Sequence, residues 1–243
     1  MTFKDLKVKV YADGAVIADM KKAYESGYVK GFTTNPSLMK AAGIKDYFGF
    51  AKEAMDALPG MPISFEVFSD DTATMEVEAE KLYNFGKENG FSDRLYIKVP
   101  ILTTKGESTA PLIEKLSKKG YNLNITAILT VDQARETVNA FAPNTNNLVS
   151  VFAGRIADTG RDAMPIMHAC RELCNEKPGT ELLWASNRQV FDVIQADQSG
   201  CDIITCTPAI ISKLGSLDKD LYEVSLDTVK AFAKDIEALG ISL

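Results

Sequence analysis

The chain has 243 residues, 46% of them hydrophobic, enough to bury a sizeable core as one large α/β domain or two small ones. Its formal net charge of −6 argues against general nucleic-acid binding. The N-terminal run Met1-Thr2-Phe3-Lys4-Asp5 lacks a signal-peptide core and no stretch is long enough to span a bilayer, so a cytoplasmic protein without a membrane partner is expected.

Short apolar runs alternate with helical patterns from one end to the other. Strands are expected at 7–12, 29–33, 63–68, 94–99, 121–126, 147–152, 181–185 and 201–206. Between them lies helix punctuation: capping-box spacings at Thr130/Gln133 and Ser186/Gln189, and Thr207-Pro208 as an N-cap followed by proline. Gly27, Gly86, Gly120, Gly200 and Gly215 stand near the ends of helical patterns. Eight strands, each followed by a helix and none by a long linker, favour a single-domain (β/α)8 barrel over residues 1–243. A doubly wound sheet is second, because no glycine-rich dinucleotide turn follows the first strand. A last helix, around 225–239, carries Leu226, Val229, Phe232, Ile236 and Leu239 along one stripe, able to dock on its own barrel or on a neighbouring subunit.

The four cysteines build neither a metal site nor a disulfide frame, and His168, the only histidine, lies in the body of a helical pattern. Serine-hydrolase and zinc chemistry therefore fall away, and neither a cofactor nor a metal is expected.

Catalytic groups of a barrel belong at the carboxyl ends of its strands. In Arg94-Leu95-Tyr96-Ile97-Lys98-Val99-Pro100, alternation sets Lys98 opposite Leu95, Ile97 and Val99, near the strand's end. Burial disfavours the charged form of an amine, and a neutral amine attacks carbonyl carbon. The same parity puts Asp13 with Tyr11, Ser64 with Glu66, Asn122 with Asn124 and Thr126, Ser150 with Phe152, and Trp184 with Ser186. Arg155 and Arg188 follow in the next turns, and the turn after the second strand offers Thr33, Thr34, Asn35 and Ser37. Asn35 and Ser37 could be turn formers, Ser186 and Asp13 helix caps, and the two arginines ordinary salt-bridge partners. Polar groups on the inward faces of several strands are costly unless they serve one another or a ligand, so convergence on Lys98 points to a site.

The blocks GFTTNPS, SFEV, YIKVP, NLNITAI, SVFAGRIAD and WASNR together resemble, in order and approximate spacing, the transaldolase family. The resemblance implies a class I aldolase barrel in which Lys98 forms a Schiff base. It implies that Asp13 exchanges the C4 hydroxyl proton and that Glu66 acts through a water that Thr126 helps to hold. Asn35 and Asn124 would bind the substrate's hydroxyls beside the imine and Ser150 would lie near the dihydroxyacetone unit, with Phe152 in the wall that shields it; Thr33 is a further substrate-binding candidate. Arg155, Ser186 and Arg188 would form the sugar-phosphate end, where guanidinium groups and a helix start after Ser186 suit a dianion. The family's aldolase branch typically has glutamine at the position of Glu66 and tyrosine at that of Phe152, so transfer between sugar phosphates in the pentose phosphate pathway is expected. Cleavage by the aldolase branch is the alternative, and a non-catalytic sugar-phosphate-binding barrel a more distant one. Val151 departs from the proline often found in larger members, and short members often assemble as pentamers or decamers.

Overall fold

A computed structural model describes residues 3–240. Its strands are β1 Lys9–Asp13, β2 Val29–Thr33, β3 Ile63–Glu66, β4 Leu95–Pro100, β5 Leu123–Ile128, β6 Asn147–Val151, β7 Thr180–Trp184 and β8 Ile203–Cys206. Each pairs in parallel with the next, and β8 pairs with β1 to close the barrel. Closure excludes the doubly wound sheet, which would leave two open edges. The helices are α1 Ile17–Glu25, α2 Pro36–Ala41, α3 Tyr47–Ala57, α4 Thr72–Glu88, α5 Ala110–Lys118, α6 Val131–Ala140, α7 Ala153–Ala157, α8 Met164–Asn175, α9 Phe191–Gln198, α10 Pro208–Ile211 and α11 Leu221–Leu239.

The strands alternate between two interiors. Phe32, Phe65, Ile97, Val99, Leu123, Ile125, Val149 and Ile204 are buried on the outer face, among the apolar residues of the helix layer. Each such side chain removed from water contributes about 1.5–3 kcal/mol. On the inner face Tyr11, Leu148, Leu183, Ala185 and Ile203 form a separate cluster with Tyr96 and Phe152, which fills the barrel below its mouth. Gly31 makes room for it, since a Cβ there would stand 2.4 Å from the Tyr11 ring.

Three local expectations are corrected. The fifth strand starts at Leu123 rather than at 121, because Tyr121 instead stacks on Tyr83 of α4 at 4.1 Å, and the strand runs on to Ile128. On β7 the parity is reversed: Trp184 is buried in the outer core, and Leu183 and Ala185 point inward. Ser186 still reaches the mouth because its backbone turns left-handed, with φ of 63°. The Ser186/Gln189 capping box does not form either. Helix α9 starts only at Phe191, and the Asp192 carboxylate accepts from the Arg188 and Gln189 backbone N–H groups at 2.6 and 3.3 Å. The Thr130/Gln133 box does form and starts α6.

All four cysteines are buried and free, and burial pushes their thiols up to about 12. Helix α11 is capped by the Asp220 carboxylate, which accepts from Tyr222 and Glu223 N–H groups, and it starts earlier than the expected 225–239 span. It buries none of its residues: Leu226, Val229, Phe232, Ile236 and Leu239 are all exposed. Its own barrel leaves the stripe uncovered.

At Gly154 in α7 a Cβ would fall 1.6 Å from the Ser186 carbonyl oxygen, so only glycine lets α7 lie against the turn after β7. Gly154→Ala should therefore lower stability by about 3 kcal/mol, the upper end for overpacking that backbone must absorb, checked by urea unfolding.

Candidate active site

At the carboxyl ends of the strands lies a cavity of about 420 Å³. Every expected site residue except Asn124 and Arg188 lines it. Its floor is set by strand register. Glu66 on β3 is the lateral partner of Lys98 on β4, and Asp13 on β1 is that of Thr33 on β2. Neighbouring inward side chains are thereby brought within bonding distance across the barrel wall.

Lys98 is 6% exposed, so its ammonium depends on protein rather than on water for partners. Nζ lies 3.0 Å from Glu66 Oε2 and donates to the Thr34 carbonyl oxygen at 3.1 Å. The Glu66 backbone carbonyl accepts from the Tyr47 hydroxyl at 2.8 Å, which anchors the end of β3 to α3. Burial, followed by the charges of Glu66 and Glu78, holds that hydroxyl protonated well above the usual phenol range. Asp13 Oδ1 accepts from Thr33 Oγ1 at 2.8 Å. Burial is the main influence raising the Asp13 pKa, with the Glu66 charge adding to it, and Lys98 and the Thr33 bond pulling it back; the net direction is up.

Behind this trio the Ser150 hydroxyl donates to Asn124 Oδ1 at 2.6 Å, and Asn124 Nδ2 donates to Ser64 Oγ at 2.9 Å. Asn124 is wholly buried and acts on the cavity only through Ser150, which lines it. Asn35 caps α2 by accepting from Leu38 N–H at 3.0 Å, which leaves its amide N–H groups as what it can offer a ligand. Thr126 Oγ1 is buried without a hydrogen-bond partner among the described residues. A buried hydroxyl in a cavity wall is a ready anchor for a water or a substrate oxygen.

Toward the mouth, the Arg155 guanidinium stands 5.8 Å from the centre of the Phe152 ring. Arg188 is turned away. Its Nε donates to Asp158 Oδ1 at 3.0 Å, Nη2 to Asp158 Oδ2 at 2.5 Å, and Nη1 to the Ser186 carbonyl at 3.0 Å. The expected helix start after Ser186 is likewise missing, because α9 begins five residues later. Of the three groups expected at an anionic end, Arg155 and Ser186 line the cavity.

Sequence reading passed over Thr205, which lines the cavity and whose Oγ1 is 2.5 Å from Thr33 Oγ1. Alternation on the eighth strand carried the signal, since Ile203 and Thr205 share a face opposite Ile204 and Cys206. Leu183 and Ala185, which form an apolar wall, were hidden by the reversed parity on β7.

The family model described as transaldolase/fructose-6-phosphate aldolase matches residues 10–243. The chain belongs to that family. Similar proteins include a probable transaldolase of Ruegeria sp. (strain TM1040), 33% identical, covering 97% of this chain and 100% of the relative. A probable transaldolase of Erythrobacter litoralis is 34% identical over the same shares, and one of Nitrosopumilus maritimus is 30% identical over 95% of each chain. Membership makes this barrel an enzyme of the aldolase and transferase kind. No helix among the described residues is long and apolar enough to cross a membrane.

The raised Asp13 pKa has a consequence for stability. Between the ordinary carboxylate value of 3.8 and its raised native value, Asp13 binds more proton in the folded than in the unfolded chain. Its contribution to stability is therefore present below that window and is lost as pH rises through it. Asp13→Asn should melt at a higher temperature than wild type at neutral pH, and the advantage should disappear below the ordinary carboxylate range, as read by thermal melts across pH.

Proposed function

We propose that the protein is a transaldolase that moves a dihydroxyacetone unit from a ketose phosphate to an aldose phosphate through a Schiff base on Lys98. The donors would be sedoheptulose 7-phosphate or fructose 6-phosphate, and the acceptors glyceraldehyde 3-phosphate or erythrose 4-phosphate, the exchange of the non-oxidative pentose phosphate pathway. The observation that carries the reading is the buried Lys98 amine held 3.0 Å from Glu66, with Asp13 on the same cavity floor.

In this reading Lys98 Nζ gives its proton to Glu66 and attacks C2 of the ketose. Glu66, through a water held by Thr126, returns protons to the departing C2 oxygen, which leaves as water. Asp13 takes the C4 hydroxyl proton, the C3–C4 bond breaks, and its electron pair moves into the protonated imine. The aldose phosphate departs, the acceptor enters, and C3 of the lysine-bound enamine bonds to its aldehyde carbon as the imine re-forms. Asp13 then returns the proton to the new C4 oxygen, and hydrolysis frees Lys98. Asn35 and Ser150 offer hydrogen bonds to the dihydroxyacetone hydroxyls, with Asn124 fixing Ser150 from behind. Thr33 serves by holding Asp13, and Phe152 with Leu183 and Ala185 shields the carbanionic intermediate from water. Arg155 and Ser186 meet the phosphate. Arg188 joins them on exchanging Asp158 for the ligand, which costs little because both partners of that pair are about half exposed.

Glu66 and Phe152 favour transfer over simple cleavage, because they stand where the family's aldolase branch typically has glutamine and tyrosine. The aldolase reading remains the second one, since the family contains both activities. The exposed apolar stripe of α11 supports a homo-oligomer in which the stripe is covered by another copy, pentamers or decamers included. The reading includes work in the cytoplasm, where the sugar phosphates of that pathway would be met.

Product analysis tests the reading. Fructose 6-phosphate with erythrose 4-phosphate should yield glyceraldehyde 3-phosphate and sedoheptulose 7-phosphate, with no sustained release when the acceptor is withheld. Steady dihydroxyacetone without acceptor would instead make the protein an aldolase. Asp13→Ala should lower transfer by a factor on the order of 100 or more, the usual worth of a general acid/base, and normal turnover would remove Asp13 from the mechanism.

A further inference from the structure

Thr205 on β8 has no part in the mechanism above, yet its position is constrained by simple proton counting. A threonine hydroxyl carries one proton and two lone pairs. Thr33 spends its proton on Asp13 Oδ1, at 2.8 Å. At 2.5 Å between the two hydroxyl oxygens, one of Thr33 and Thr205 must donate to the other. Thr33 has no proton left, so Thr205 donates. The chain of bonds therefore runs in one direction, from Thr205 to Thr33 to Asp13, for as long as Asp13 is ionised.

Burial fixes this arrangement. Thr33 is 3% and Thr205 6% exposed, and Thr205 is held as the lateral partner of Tyr11, two residues before Asp13 on β1. With its proton committed to Thr33, the Thr205 oxygen faces the cavity as an acceptor. Once Asp13 gains a proton, both bonds can reverse and Thr205 can offer a donor instead. Resting on the transaldolase reading for its catalytic meaning, we propose that Thr205 is a positioning residue, which orients the Thr33 hydroxyl onto Asp13 and thereby sustains the carboxylate that takes the C4 hydroxyl proton. Successive hydrogen bonds polarise one another, so the first donor strengthens the second bond.

The other charged and titratable groups acting on Asp13 belong to β3, β4 and β8: Glu66, Lys98 and the Cys206 thiol. None is altered by removing one hydroxyl from Thr205. Thr205→Val keeps the shape and deletes the donor, and Thr205→Ser keeps the donor.

The test reads the Asp13 titration in two ways, by carboxyl-carbon NMR of the free enzyme and by the acid limb of the pH–rate profile. Thr205→Val should move both to higher pH, with a loss in rate below the limb of up to about fivefold, the equivalent of one ordinary hydrogen bond. Thr205→Ser should restore wild-type values. Thr33→Val should shift both further, and adding Thr205→Val to Thr33→Val should change nothing more, because Thr205 acts through Thr33. An unmoved NMR titration in Thr205→Val, or additive shifts in the double variant, would overturn the proposal. The NMR titration needs no turnover, so a shifted midpoint in an enzyme that makes no product would uphold Thr205 and sink the transaldolase reading alone.

Discussion

Three ionisable groups share the floor of a closed barrel: the Lys98 amine, the Glu66 carboxylate 3.0 Å from it, and Asp13. Burying ions is costly, by several kcal/mol each even after relaxation, and the attraction between them offsets that only when geometry is good. The geometry here is imposed by register, since Glu66 and Lys98 are lateral partners on adjacent strands and their alignment does not depend on a mobile loop. One cation stands among two carboxylates, so one carboxylate lacks a close counter-charge. That shortfall falls on Asp13, whose main polar partner is a neutral hydroxyl and whose pKa is raised, first by burial and then by the Glu66 charge, against the opposing pull of Lys98 and Thr33. A carboxyl group that accepts and returns protons readily is what carbon–carbon bond cleavage through an imine requires. In the proposed mechanism, stability and chemistry therefore pull in opposite directions at the same residue.

The rest of the barrel isolates that trio. Tyr11, Tyr96, Leu148 and Ile203 fill the interior beneath it, so the cavity opens at one end only. Burial and the Glu181 charge push the Tyr96 hydroxyl up to about 12, so this plug brings no further negative charge toward the floor. At the mouth the backbone leaves regular geometry where the site needs it. Ala127 and Ser186 both adopt left-handed conformations, with φ of 61° and 63°, and both line the cavity. Such conformations cost about 1 kcal/mol or more in residues other than glycine and persist where the surroundings over-determine them. At Ser186 the over-determining contact is α7, which approaches its carbonyl so closely that residue 154 must be glycine.

The barrel and its floor were legible because two-residue periodicity is a local property. Alternation around Lys98, Glu66 and Asp13 needs only the neighbouring apolar residues to be read, and closure follows from the repeated strand–helix order. The errors arose where tertiary contacts override local pattern. Tyr121 looks like a strand residue and is drawn away by stacking on Tyr83. Ser186 looks like a helix cap and is instead a left-handed turn, while Asp192 satisfies the backbone N–H groups that a cap would have served. The orientation of Arg188 toward Asp158 could not be read from spacing, because it depends on where α7 lies relative to the turn after β7. Thr205 was legible in principle, and its role depends on one interstrand distance that sequence does not contain.

Mapping a trapped intermediate decides whether the buried amine of Lys98 is the nucleophile. The protein would be incubated with fructose 6-phosphate and borohydride, digested, and the peptides weighed. A reduced dihydroxyacetone adduct is expected on Lys98, and none in Lys98→Met although that variant stays folded. An adduct on another lysine, or equal trapping in Lys98→Met, would contradict it.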